Sequence, residues 1–195
     1  MEFAHDTQVV LAAAAALVNT ATTTPDPLDD LASFEAWLDE QPYSGDREHT
    51  DAERVSVRDL RARVAAFWPA ADAEPDRDGT VELVNALFAE TDARPVLARH
   101  AGWDWHLHVT PSHAPLAHRI GAEIAMAVAD LIRVDDLSRL RRCAGEDCDA
   151  VLVDLSRNRS KRFCDTGNCA NRAHVAAYRA RRAKAAEPAG RRARS

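Results

Sequence analysis

No stretch of this 195-residue chain is long and apolar enough to cross a bilayer. The most apolar run, VVLAAAAALV from Val9 to Val18, has half of the roughly 20 residues that a spanning helix needs, and most of it is alanine. Nor is a secretory leader expected from the first residues. MEFAHD carries Glu2 and Asp6 and no Lys or Arg ahead of the apolar run, and no clear cleavage site follows. The expectation is a cytoplasmic protein. Enzyme signatures are lacking as well: there is no G-x-G-x-x-G, no G-x-x-x-x-G-K-[ST], no G-x-S-x-G and no H-E-x-x-H. The chain is therefore expected not to be an enzyme. It also has no repeat of fixed period. Its one biased segment is the Arg/Ala-rich tail after Glu187, expected to be disordered.

Cysteine is scarce, and its placement is uneven. All four cysteines fall between Cys143 and Cys169. Structural disulfides do not persist in a reducing cytoplasm, so a metal explains the cluster better. The spacing is C-x4-C, fifteen residues, C-x4-C, formed by Cys143, Cys148, Cys164 and Cys169. Each pair makes a knuckle that sets two thiolates on one edge of a metal, and two edges complete the tetrahedral site that zinc prefers. Between the pairs, AVLVDLSRNRSKRF has a β-rich run from Ala150 to Leu155 and a polar turn from Ser156 to Ser160, predicted to fold as a hairpin that brings the knuckles together. The second pair opens a basic helix, where the macrodipole favours thiolates. About forty residues with few large apolar side chains bury too little to fold without the metal. An iron–sulfur cluster or a redox pair would compete, but the first uses tighter, uneven spacing and the second C-x-x-C. If all four thiolates hold zinc, none remains as a nucleophile and no position is open to water.

The rest of the chain reads as mainly helical, with 46% hydrophobic residues to fill a core. Helices are predicted around Val9–Val18, over Leu28–Leu38 with Asp29 or Asp30 as cap, from about Asp51 to Trp68 with Val57, Leu60, Val64 and Phe67 on one stripe, after Thr80 as cap, and from about Ala114 to Ile132. A second short helix leads from Asp135 to the first cysteine. Between Pro95 and Thr110 the period shortens, and Trp103, Trp105, Leu107 and Val109 alternate with polar residues, predicting a β-hairpin. His106, His108, His113 and His118 are dense enough to raise a second metal site, but no carboxylate or cysteine completes an obvious set, and ordinary polar or half-buried histidines are the favoured reading. Trp37 and the Trp103/Trp105 pair are read as core before pocket.

Charge is divided. Residues 139–195 carry 15 of the 25 Lys+Arg and six of the 31 Asp+Glu, a local charge of +9, which leaves −15 on residues 1–138. A basic segment of this kind suits an anionic partner, most often nucleic acid, or docks on the acidic part of its own chain. Arg172, Arg179 and Arg182 share a helix face suited to phosphates, with Ala173, Ala176, Ala177 and Tyr178 expected against the finger and Asn171 or Arg172 within reach of a base edge. A solvated basic face is the plain alternative.

The segment RLRRCAGEDCDAVLVDLSRNRSKRFCDTGNCANRAHVAAYRARR resembles the CGNR-type zinc finger, and LVNT at Leu17–Thr20 with WHLHVT at Trp105–Thr110 resembles the ABATE domain that precedes that finger in a bacterial family of stress-induced transcription regulators. The signature reads Cys169-Ala170-Asn171-Arg172, with Ala170 where the family has glycine. The resemblance implies an α+β fold. A mainly helical ABATE-like domain with a short β-hairpin spans residues 1–138, a treble-clef-like four-cysteine zinc module with a basic helix spans 139–184, and a disordered basic tail spans 185–195. It implies one structural zinc on Cys143, Cys148, Cys164 and Cys169. It further implies a DNA-binding regulator, stress- or ligand-responsive through the N-terminal domain. Arg157, Arg159, Lys161, Arg162, Asn171, Arg172, Arg179 and Arg182 are its candidate nucleic-acid contacts. A protein-interaction or RNA-binding module is the alternative, an enzyme with a structural zinc a weaker one. The oligomeric state is left open, a homodimer included.

Overall fold

A computed structural model describes residues 3–70, 73–99 and 104–186. The alanine-rich α1 (His5–Asn19) is followed by a 3-10 turn at Thr20–Thr22. Helix α2 (Leu31–Asp39) begins at Asp30, whose carboxylate accepts from the Ser33 amide at 3.0 Å. Helix α3 (Asp51–Val64), capped by Thr50, tightens into a 3-10 turn at Ala65–Phe67, and its stripe of Val57, Leu60, Val64 and Phe67 is buried as predicted. Helix α4 (Arg77–Glu90) starts before the predicted cap at Thr80. Asp76 takes that role by accepting from the Gly79 amide at 3.0 Å, which leaves Thr80 buried in the first turn. Helix α5 (Leu116–Arg133) is the central element and packs against α4, α1 and α3 with Ile120, Ile124 and Leu131 fully buried.

The predicted hairpin forms from β1 (Val96–Ala98) and β2 (His106–His108), antiparallel with Val96 opposite His108. Its alternation is the reverse of the usual one. Leu97 is 63% exposed and Trp105 65%, while His106 and His108 turn toward the domain and are half-buried. Trp105 is therefore not core, whereas Trp37 packs partly buried against it. Trp103 lies outside the described residues.

The short helix expected after Asp135 is only a 3-10 turn, Leu137–Arg139, running directly into β3 (Leu140–Arg142). Strand β4 (Val151–Val153) pairs with β3 antiparallel, Leu140 opposite Val153. The hairpin thus closes around the first cysteine knuckle instead of lying between the two knuckles. The partner of the β-rich run precedes Cys143. A two-stranded ribbon cannot stand alone in water, and this one does not: Leu140, Val151 and Val153 belong to the same buried cluster as Leu11, Leu17 and Val128. Two side chains complete the backbone of β4. Asn19, at the end of α1, accepts from the Val151 amide at 2.7 Å and donates to its carbonyl at 2.9 Å, and Trp68 Nε1 donates to the Leu152 carbonyl at 2.9 Å. Helix α6 (Cys169–Ala186) follows the second knuckle. It continues two residues past the expected boundary at 184, and the tail from residue 187 lies outside the described residues.

Candidate metal centre

The first knuckle hangs from the ends of β3 and β4. Its strand-like register continues one step beyond the ladder, since the Cys143 amide donates to the Ala150 carbonyl at 2.8 Å. The turn then brings Gly145 inward, where its amide donates to Cys143 Sγ at 3.4 Å and an added Cβ would lie 2.8 Å from Cys169 Sγ. Gly145 is present because the metal centre comes too close for any side chain. The second knuckle is anchored by the Cys164 amide, which donates to Cys143 Sγ at 3.3 Å. Cys169 is the first residue of α6, at the positive end of its dipole.

These anchors gather Cys143, Cys148, Cys164 and Cys169 so that their four sulfurs lie within 4.8 Å of one another. Cys148 Sγ is 3.8 Å and Cys169 Sγ 3.9 Å from Cys164 Sγ. Zinc–sulfur bonds of about 2.3 Å in a tetrahedron separate the sulfurs by roughly 3.8 Å, which these two separations match, and the widest pair needs to close by no more than about 1 Å to hold the ion. Cys143, Cys164 and Cys169 are buried. In the metal-free set, burial pushes the Cys143 and Cys148 thiols up, the latter to about 12. Burial opposes ionisation at Cys164 too, yet hydrogen bonds from Thr166, Gly167 and the neighbouring thiols bring it down to about 7.

Arg172 adds an element that the cysteine spacing does not reveal. Its Nη2 lies 3.1 Å from Cys169 Sγ, where a guanidinium offsets part of the negative charge of four thiolates on one dication. Ala170 sits in the first turn of α6, exposed, so its methyl group meets no obstacle in the place of the family's glycine.

The candidate nucleic-acid residues separate into two groups. Arg157, Arg162, Asn171, Arg179 and Arg182 are exposed, and so are Arg159 and Arg172, but the latter two and Lys161 are engaged by acidic or sulfur partners. Arg159 Nη2 pairs with Asp136 at 2.9 Å, Lys161 Nζ with Asp165 at 2.6 Å, and Arg172 faces the sulfur. The loop that carries Arg157, Arg159, Lys161 and Arg162 is built on Asp154, fully buried, whose carboxylate accepts from the Ser156 amide at 3.1 Å, the Lys161 amide at 3.0 Å and Arg141 Nη1 at 3.2 Å. Beyond the metal, α6 stands nearly free. Ala176, Ala177 and Tyr178 are exposed and do not pack on the finger as expected; Ala173 alone of the four is half-buried. At 100° per residue, Asn171, Arg172, Val175, Tyr178, Arg179 and Arg182 all fall within one third of the helix circumference.

The four histidines are not brought together. His113 and His118 are exposed near and on α5, while His106 and His108 pair across the inner face of β2. They border a cavity of about 110 Å³ between α1, α5 and the hairpin, which Tyr43 and Glu123 also line. Burial holds the Glu123 carboxyl up at about 7, against the opposing charges of Arg119 and His106. Sequence reasoning passed over Glu123 because it lies on α5, fifteen residues away from β2.

A helical domain whose core is shared with a closed four-thiolate module defines a zinc-finger protein in which the metal is structural. Residues 139–182 match the CGNR zinc finger. The chain belongs to the ABATE family, described as "Putative stress-induced transcription regulator", whose model matches residues 11–135. No curated protein matches the chain. Among the described residues, no helix is long and apolar enough to cross a membrane.

Proposed function

We propose that the protein is a zinc-dependent, DNA-binding transcription regulator that reads duplex DNA with α6 and the basic loop 156–162. The observation that carries this reading is α6 itself. It is an 18-residue helix whose described side chains, through Ala183, are almost all in water past its first turn, so it lacks the packed apolar face from which most helices in proteins draw their stability. Zinc holds its first turn, while the outer turns present cations and no buried face, which suits a polyanion more than an apolar groove. Arg157, Arg162, Arg179 and Arg182 are the phosphate contacts, and Asn171 is the residue placed for a base edge. Arg159 and Lys161 join them on giving up Asp136 and Asp165. Arg172 is chiefly a positioning residue at Cys169. The protein is not an enzyme on this reading, because the four-thiolate centre leaves the zinc no open position.

Fluorescence anisotropy with promoter fragments from the host genome tests it. With about four phosphate contacts, log affinity falls with log salt at a slope of roughly −4. Arg179→Ala with Arg182→Ala flattens that slope by about two units at unchanged zinc content. Zinc-loaded protein that binds no fragment in a salt-sensitive way refutes the DNA reading, as does a double variant that binds as well as the parent. Tyr178, 54% exposed with Arg182 5.9 Å from its ring, favours a second reading as an RNA-stacking surface. Single-stranded RNA outcompeting duplex DNA selects it.

A further inference from the structure

We propose that the ABATE domain holds a second metal site, in which His106 and His108 chelate a divalent first-row transition-metal ion and Glu123 supplies the carboxylate across the cavity. The two imidazoles stand close enough to share one ion once their rings turn out of the hydrogen bond between them. Their Nε2 atoms are 3.1 Å apart and their ring centroids 4.9 Å apart. With metal–nitrogen bonds of about 2.0–2.1 Å, that separation subtends roughly 100° at a shared ion, between the octahedral and tetrahedral angles.

The tautomer of His106 agrees. Its Nδ1 lies 2.7 Å from the Asp104 carbonyl, which can only accept, so Nδ1 carries the proton and Nε2 presents a lone pair to the cavity. An outer hydrogen bond from the non-ligating ring nitrogen to a carbonyl is the usual orientation device for a metal-bound histidine. In the metal-free protein His108 Nε2 donates its proton to His106 Nε2, and the ion takes the place of that proton.

Two more observations place charge and polarity in the same cavity. Glu123 lines it from α5, half-buried, and would swing toward the imidazoles to complete the site, since among the described residues the four cysteines are the one group of three or more ligating side chains already gathered. The Tyr43 hydroxyl, also on the lining, is buried and has no hydrogen-bond partner among the described residues. A water completing the coordination of the ion supplies one. Imidazole with carboxylate selects nickel, zinc, cobalt or copper over magnesium or calcium. The site stands on residues separate from the finger, so it holds whether or not α6 binds DNA.

The test uses the full, zinc-loaded chain with Ni²⁺ as probe. Calorimetric titration followed by elemental analysis of the gel-filtered protein is expected to find about one nickel beside one zinc per chain. His106→Ala with His108→Ala weakens nickel binding at least tenfold, and Glu123→Gln, close in shape but a poor ligand, weakens it at least fivefold; zinc content and the melting transition stay near the parent's in both. His113→Ala with His118→Ala leaves nickel binding unchanged. The proposal is overturned if the parent takes up no nickel, if Glu123→Gln binds as the parent does, or if loss follows His113 and His118, which would assign the uptake to exposed surface histidines.

Discussion

Asn19 does at one position what a third strand would do for β4. Its amide group satisfies both the N–H and the C=O of Val151, in a buried setting where either group left unpaired costs about 1–3 kcal/mol. Asn19→Ala is expected to lower stability in denaturant unfolding by about 2–4 kcal/mol. Asn19→Asp should cost at least as much, since a buried carboxylate still accepts from the Val151 amide but sets a second, charged oxygen against its carbonyl. Equal stability of parent and alanine variant would remove this role. The partner lies 132 residues away in sequence, which is why the LVNT segment could be matched to a family but its purpose could not be read. Gly145 makes the same point at the metal. A methyl group there meets Cys169 Sγ at 2.8 Å and Cys169 Cβ at 2.9 Å, neither of which can move without dragging the ligand. Zinc transfer from Gly145→Ala to a chromophoric chelator should be at least tenfold faster than from the parent, as for other disturbances next to a ligand; an unchanged rate would mean the knuckle relaxes freely.

Among the elements, helices were the most legible part of the sequence, because an apolar stripe such as Val57, Leu60, Val64 and Phe67 needs only local spacing to declare a face. The finger's strands were less so. The β-rich run was evident, but its partner Leu140–Arg142 looks like a basic approach to the cysteine, and only the tertiary pairing of Leu140 with Val153 reveals it as a strand. The four metal ligands were fully legible from spacing, whereas the ties of Arg159 to Asp136 and Arg172 to Cys169 were not, since an arginine's partner leaves no periodic trace. The loop 156–162 depends on Asp154. Burial works against its ionised form, but Ser156, the Lys161 amide and Arg141 outweigh that and hold the carboxyl below its ordinary 3.8. A depressed carboxyl stabilises the fold above its unfolded value and ceases to do so as pH falls through the folded one. The stability gap between the parent and Asp154→Asn should therefore be full at pH 7 and narrow as pH falls below about 4. Zinc loss in acid would release the same loop and narrow the gap too, so zinc content is followed at each pH and the comparison is confined to values at which both proteins keep it. A gap that stays constant from pH 7 to 3 would deny Asp154 its charge role.

On the scale of the whole molecule, the division of charge does not divide the fold. Arg139 is buried on Asp136, and Arg159 reaches the same carboxylate from the loop, so part of the basic segment is consumed in joining the finger to the rest. Core joins them more strongly, because Leu140, Val151 and Val153 are packed among residues of α1 and α5. Zinc stands at the open end of that hairpin. Without it four buried or half-buried thiols surround an empty centre, and nothing holds the second knuckle and α6 to the first. Loosening β3–β4 then exposes apolar surface of the main core and leaves Asn19 and Trp68 without their carbonyl partners. Chelation of zinc should consequently lower the melting temperature of the whole chain in one cooperative transition, at roughly 2–4 °C for each kcal/mol lost in a chain of this size. A freely tumbling finger would behave otherwise. It would melt or be cut away alone, and the transition of residues 3–138 would stay where it was. Calorimetry with and without a zinc chelator, paired with limited proteolysis, separates the two: an unmoved main transition together with a stable fragment ending near residue 138 would show that the metal serves the finger only, and the shared core would then contribute little to joining the two parts.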